Sequence, residues 1–190
     1  MFHIITPFSR PWNLPVLREM FAAMPDWVLW YPFAFIGKPG DHCCGVFTIP
    51  EVLNWDPCCA KLNAAVEYPP IFGGLADYIG FLCDDDWYPP NFFDGLKDAT
   101  AEVLIVPAVR HGGNSGPYLE AKPENMRRCH VGLEQFFVRA DIMRQFRFNN
   151  SPTADGELIE ALWARNRDGF AFYPNNPPVH WNKLPGKEPT

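Results

Sequence analysis

Tyr78-Ile79-Gly80-Phe81-Leu82-Cys83-Asp84-Asp85-Asp86 is a short apolar run that ends in three adjacent carboxylates. The run is too short for a stable helix, and it has the aromatic and β-branched character of a buried strand. Three neighbouring carboxylates repel one another and add nothing to folding at a strand end. They read either as a ligand site or as a solvated turn that caps the next helix, since Asn91-Phe92-Phe93 follows soon after. If the chain stays extended, Asp84 and Asp86 point to one side and Asp85 to the other. Two converging carboxylates suit a hard divalent cation that takes its other ligands from water and phosphate.

Upstream, strand and helix signals alternate. An apolar strand is expected over 2–6, stopped by Pro7. Asn13 suits a helix cap, and Pro15 is tolerated in the first turn of a helix over 14–23. A second strand is expected over 27–31, ended by Pro32. Asp56-Pro57 reads as the cap and first residue of a helix that runs to Val66. Strand, helix, strand, helix, strand is the signature of a parallel sheet with helices on its faces. Ligands of such sheets bind beyond the carboxyl ends of the strands, which here means residues 6–10 and 84–86.

Downstream, strands are expected over 102–109 and 134–139, the latter leading into a short helix over 141–146. His111-Gly112-Gly113-Asn114-Ser115-Gly116 matches neither a Walker loop nor a dinucleotide fingerprint and reads as a mobile loop. A helix over 155–165 presents Leu158, Ala161, Leu162 and Arg165 on one side, with Ile159 and Trp163 widening the apolar face. A last strand is expected over 170–173, followed by a segment rich in Pro and Asn.

The chain has 190 residues, 47% hydrophobic and 20% charged, with a net charge of -6. That is globular composition, and it makes a poor general binder of nucleic acid, which needs a basic surface. No run approaches the roughly 20 apolar residues of a bilayer span. Met1-Phe2-His3-Ile4-Ile5-Thr6-Pro7 lacks the pattern of a signal peptide, so a cytoplasmic location is expected. The six cysteines are then expected to be reduced, and the adjacent pairs Cys43-Cys44 and Cys58-Cys59 fit zinc spacing poorly. The 21 prolines fall mostly at strand ends and helix starts.

Ile4-Ile5-Thr6-Pro7-Phe8, Lys61-Leu62-Asn63-Ala64-Ala65 and Tyr78 through Pro89, in that order, resemble a GT-A fold glycosyltransferase of the family-2 type. They are similar to small virus-encoded nucleotide-sugar glycosyltransferase domains. Leu133-Glu134-Gln135-Phe136-Phe137-Val138-Arg139 resembles the strand such enzymes place before the acceptor site. Asp155-Gly156-Glu157-Leu158 resembles their acidic catalytic helix start. The resemblance covers residues 2–173. It implies an α/β fold: a single GT-A (nucleotide-diphospho-sugar transferase) domain over 1–173, with a central mixed, mostly parallel sheet flanked by helices. Residues 174–190 would be an extended tail packed on that domain.

The activity implied is metal-dependent, hexosyltransferase-like transfer of a sugar from a nucleotide-diphosphate sugar to a glycan or other hydroxyl acceptor. By resemblance, Asp86 ligates Mn2+ or Mg2+, Asp84 faces the donor or joins the metal, and Asp85 serves the donor or the metal. His180 would be a further metal ligand; an isolated His is as readily structural. Thr6, Pro7 and Arg10 would line the nucleotide pocket, with Lys61 and Asn63 as further donor contacts. Asp155 would be the general base of an inverting reaction, with Glu157 the second choice; Asp is also a favoured helix cap. Retaining chemistry would leave Asp155 a positioning role. Trp87, Glu134 and Trp181 fall on the acceptor side, although both Trp residues also suit ordinary packing. The strand over 27–31 ends without the Asp that family-2 enzymes commonly use to read the base, so the base stays open. Neither a membrane span nor a nucleic-acid partner is expected, and the oligomeric state is open.

Two other readings compete. One is a non-catalytic nucleotide-sugar or carbohydrate-binding module on the same scaffold. The other is an aspartate-nucleophile phosphatase. That class places Thr or Val after the second Asp, whereas Trp87 follows Asp86.

Overall fold

The computed structural model describes residues 1–35, 47–49, 57–67, 77–111 and 119–185. In chain order the elements are β1 (Phe2–Pro7), α1 (Leu14–Ala22), β2 (Val28–Phe35), β3 (Phe47–Ile49), α2 (Pro57–Val66), β4 (Tyr78–Phe81), β5 (Val103–Ile105), β6 (Ala108–Arg110), β7 (Phe136–Arg139), α3 (Ala140–Met143), α4 (Ala154–Arg165), β8 (Phe170–Phe172) and β9 (Val179–Trp181). The main sheet has the order β3-β2-β1-β4-β7-β5-β8, and β6 pairs with β9 in a small second sheet. β1, β2, β3 and β4 run parallel to their neighbours, as do β5 and β8; only β7 is antiparallel to the strands beside it. The sheet is therefore mixed and mostly parallel, flanked by helices, as the alternation of signals predicts.

Period-two alternation divides the core between the two faces of the sheet. Ile5, Ile79, Phe81, Val103, Ile105, Phe136 and Val138 join Leu62, Val66, Ile142, Leu158 and Leu162 on one face, which α2, α3 and α4 cover. Phe2, Ile4, Tyr78, Leu82, Leu104 and Phe137 join Leu17, Met20, Tyr88, Phe92 and Phe93 on the other, beneath α1. Gly80 points at this second face, directly opposite Phe137 in the β4–β7 pairing. A Cβ at Gly80 would lie 2.4 Å from the Phe137 ring. Gly80→Ala is therefore expected to cost about 1–3 kcal/mol by overpacking. Urea unfolding checks this, and an unchanged midpoint would show that the ring moves aside freely.

Several boundaries differ from the sequence expectations; β7 begins at Phe136 where a strand from 134 is expected, and α3 is Ala140–Met143 where a helix over 141–146 is expected. β2 continues through Pro32, which pairs with Thr6. The Phe33 carbonyl accepts the Phe8 N–H at 2.6 Å, so the N–H that Pro32 lacks would face away from β1. The strand expected over 102–109 divides at Pro107. β5 stays in the main sheet, whereas β6 leaves it, and the Pro107 carbonyl accepts the N–H of Val179. Asn13 makes no side-chain cap; a 3-10 turn, Pro11–Asn13, leads into α1 instead. Among the described residues no helix is long and apolar enough to cross a membrane.

Candidate functional site

β1 and β4 lie side by side and parallel, so their carboxyl ends deliver residues 8–10 and 83–86 to one edge of the sheet. The three carboxylates do not stay extended. A turn forms, with the Asp86 N–H on the Cys83 carbonyl at 3.1 Å, and it sends Asp84 and Asp86 to different partners. Asp84 is buried. Its Oδ2 accepts the backbone N–H groups of Ser9 and Arg10 at 2.5 and 2.6 Å and the Ser9 hydroxyl at 3.1 Å. Its Oδ1 takes the Arg10 guanidinium. The same guanidinium reaches Asp85 at 3.1 Å. Asp84 is thus spent on shaping the loop after β1, which corrects the expectation that it would sit beside Asp86 on one cation. Arg10 is correspondingly committed to the turn.

Asp86 is wholly buried. Its Oδ1 accepts the N–H of Asn182 at 2.8 Å, and its Oδ2 has no hydrogen-bond partner among the described residues. Burial, then the charge of Glu134, push the Asp86 carboxyl well above its ordinary range. Glu134 lies in the 3-10 turn that precedes β7, Leu133–Gln135, and its Oε1 is likewise buried without a partner among the described residues. Burial pushes Glu134 up to about 7, and the charges of Asp155 and Asp85 add to it.

Two cavities, of about 330 and about 340 Å3, both touch Cys83, Leu133, Pro152 and Asp155. One extends over Cys59 and Leu62 of α2; the other reaches Glu134 and Trp181. Asp155, the second residue of α4, sits where they meet. Its Oδ1 takes the Gly156 N–H at 2.7 Å. Burial raises the Asp155 carboxyl, with the Gly156 N–H pulling the other way, so the helix start does not hold it below its usual range as a dipole alone would. Glu157 faces elsewhere. It accepts Asn149 at 2.7 Å, the Ser151 hydroxyl at 2.8 Å and the Thr153 hydroxyl at 3.1 Å, and these bonds lower its carboxyl.

No family model matches the sequence, and no curated protein matches it. Solved structures do. S. aureus TarS 1-349 superimposes on 95% of this chain and 60% of its own length, with a TM-score of 0.67 at 11% identity. TarS 1-349 in complex with UDP gives a TM-score of 0.62 at 11% identity over 94% of this chain and 59% of that one. A longer TarS chain gives 0.65 at 12% identity over 95% and 36%. The fold is GT-A-like. The TarS structures share this mixed, mostly parallel sheet flanked by helices, and the chain spans less than two thirds of the TarS chains it matches.

Within this GT-A-like fold the other expected donor contacts are occupied by the protein itself. The Thr6 hydroxyl is buried and accepts the Trp30 indole N–H at 2.9 Å. Pro7 is buried as the last residue of β1. Lys61 donates to the Phe8 carbonyl at 2.6 Å and so ties α2 to the loop after β1. Asn63 spends its amide on both backbone groups of Phe148 at 2.9 Å. His180 pairs with His111, ring nitrogen to ring nitrogen, at 2.7 Å. Burial and the neighbouring His111 lower its pKa. Trp87 packs edge-on against His180 and pairs with it through the backbone. The loop over 112–116, Cys43, Cys44 and the Cys58 side chain lie outside the described residues.

The sequence reading missed Ser9, Asn13 and Asn182. Asn13 donates to the Asp84 carbonyl at 2.8 Å and to the Pro185 carbonyl at 3.0 Å. Asn182 adopts a φ of 54°, a conformation Asn tolerates, and there its N–H meets Asp86. The Leu184 N–H meets the Asp85 carbonyl at 2.8 Å. A polar Asn beside the His180-Trp181 pair was the available signal.

Among the described residues no three His, Cys, Asp or Glu side chains converge on one point. The orphaned Asp86 Oδ2 nevertheless suits a hard cation such as Mg2+, which takes one or two carboxylates from a protein and the rest from water and phosphate.

Proposed function

We propose that the protein transfers a hexose from a nucleoside-diphosphate sugar to a hydroxyl acceptor with inversion. The observation that carries this reading is the place of Asp155: a partly buried carboxylate at the junction of two cavities, at the carboxyl end of β4. The fold supports it, and the TarS complex with UDP-GlcNAc makes uridine diphosphate sugars the first donors to try. Asp155 takes the proton from the acceptor hydroxyl as its oxygen attacks the anomeric carbon. The bond from that carbon to the diphosphate oxygen breaks, and its electron pair leaves with the nucleoside diphosphate. A raised carboxyl suits Asp155 to this task, because proton acceptance improves as basicity approaches the working pH. Asp86 would hold Mn2+ or Mg2+, which when bound stabilises charge on the departing diphosphate. Ser9 and Arg10, fixed by Asp84, shape the loop on which the nucleotide would rest.

A binding module without transfer is the second reading. It is favoured by one observation: Asp86 has no exposed surface beneath Asn182. A panel of nucleotide sugars with Mn2+ or Mg2+, scored for thermal shift and nucleotide release, separates the two. The enzyme reading expects both signals. Stabilisation without release, with acceptors supplied, favours the module, and neither signal with any donor sinks both. Asp86→Asn is expected to abolish the metal-dependent part of the shift; full retention would remove Asp86 as the ligand.

A further inference from the structure

The cavity of about 340 Å3 beside Asp155 has Glu134 in its wall. Glu134 is only 2% exposed, yet its Oε1 has no partner among the described residues. Room for this carboxylate is built in, since a Cβ at Gly132 would lie 2.3 Å from that same oxygen. A buried acceptor atom left unpaired costs stability, and a ligand that donates to it removes the cost. Leu119, Val131 and Leu133 supply apolar wall, and Trp181 a flat aromatic one. Among the described lining residues there is no Lys or Arg; His130 is the one basic type, and Asp155 adds a second carboxylate. Of the arginines nearby, Arg110 stacks on the Trp181 ring at 4.4 Å and Arg128 pairs with Glu157 and Glu160.

We propose that Glu134 is the specificity-determining residue of the acceptor cavity: its Oε1 accepts a hydrogen bond from an acceptor hydroxyl, so the cavity takes uncharged sugars and rejects phosphorylated ones. This rests on the sugar-transfer reading and names its acceptor class. A polyol supplies the missing donor and an apolar ring face for Trp181. A phosphate brings a second negative charge beside a carboxylate, and like charges so placed disfavour binding.

The test is binding, not turnover. Saturation-transfer NMR on the full chain at pH 8 compares a panel of methyl glycosides and disaccharides with their 6-phosphates. Neutral sugars are expected to bind at least about tenfold more tightly. In Glu134→Gln that preference is expected to shrink to about threefold or less, because the amide keeps the acceptor oxygen and loses the charge. Glu134→Gln should melt no lower than the parent at pH 8, since it removes an unpaired buried charge, so a folded variant is available. Three results each overturn the proposal: no neutral sugar binds, both classes bind alike, or the variant keeps the parent's preference. The nucleotide-sugar thermal shift is independent of this readout. A donor response without acceptor discrimination therefore sinks the inference alone, and sugar binding without a donor response sinks the transfer reading alone.

Discussion

Asp155→Asn is expected to cut sugar transfer by about 10^2- to 10^4-fold, the range that loss of a general base commands, while leaving donor binding nearly unchanged. The substitution is isosteric, and the amide oxygen still accepts the Gly156 N–H that the carboxylate holds at 2.7 Å. What it removes is the capacity to take a proton. Glu157 does not stand in for it, because its oxygens are committed to Asn149, Ser151 and Thr153 in the loop before α4. Glu157→Gln is therefore a useful contrast: it should loosen that loop and leave transfer within a few-fold of the parent. A fall in kcat with the donor KM held is the signature of lost proton acceptance. Normal transfer by Asp155→Asn would remove it as the base.

Asp84→Asn is expected to destabilise the ligand-free protein by about 3–5 kcal/mol, the cost of removing one partner from a buried ion pair. The lower end applies, because Arg10 is 29% exposed and keeps some hydration. Asp84 accepts two backbone N–H groups, a hydroxyl and a guanidinium. An amide in its place turns one acceptor into a donor aimed at donors. For a chain of this size each kcal/mol moves the melting temperature by roughly 2–4 °C, so a drop on the order of 10 °C is expected. The direction separates two roles. A carboxylate kept for a cation destabilises the ligand-free protein, and its neutralisation would raise the melting temperature. A carboxylate that builds the loop lowers it when lost.

The sequence shows the sheet well because its signals are local. Ile79, Phe81 and their neighbours alternate cleanly between the two faces, and Asp155 falls at the start of a helix whose apolar face is plain. The acidic turn is less legible. Nothing in Asp84-Asp85-Asp86 itself says that the chain bends there; the bend is imposed by Ser9, Arg10 and Asn13, more than 70 residues away in sequence. Asn63 misleads for a related reason. Its position on α2 suits a donor contact, but its amide is claimed by Phe148, 85 residues on. Pro32 misleads because its missing N–H faces away from β1, so its pairing with Thr6 is kept. Glu134 shows the converse. Its residue type and place before β7 point to the acceptor side, but its missing partner is visible only in three dimensions.

The carbonyls of Asp84 and Pro185 share one donor, the Asn13 amide, and Trp12 adds a second tie to Pro185 at 3.0 Å. These bonds close chain segments 71 to 173 residues apart. Closing loops of that length is entropically late work, done only after nearer contacts have formed. The turn that carries Asp86 is therefore expected to reach its final form near the end of folding, after the sheet. Weakening the Asn13 and Pro185 ties would then leave the refolding rate almost untouched and appear as faster unfolding.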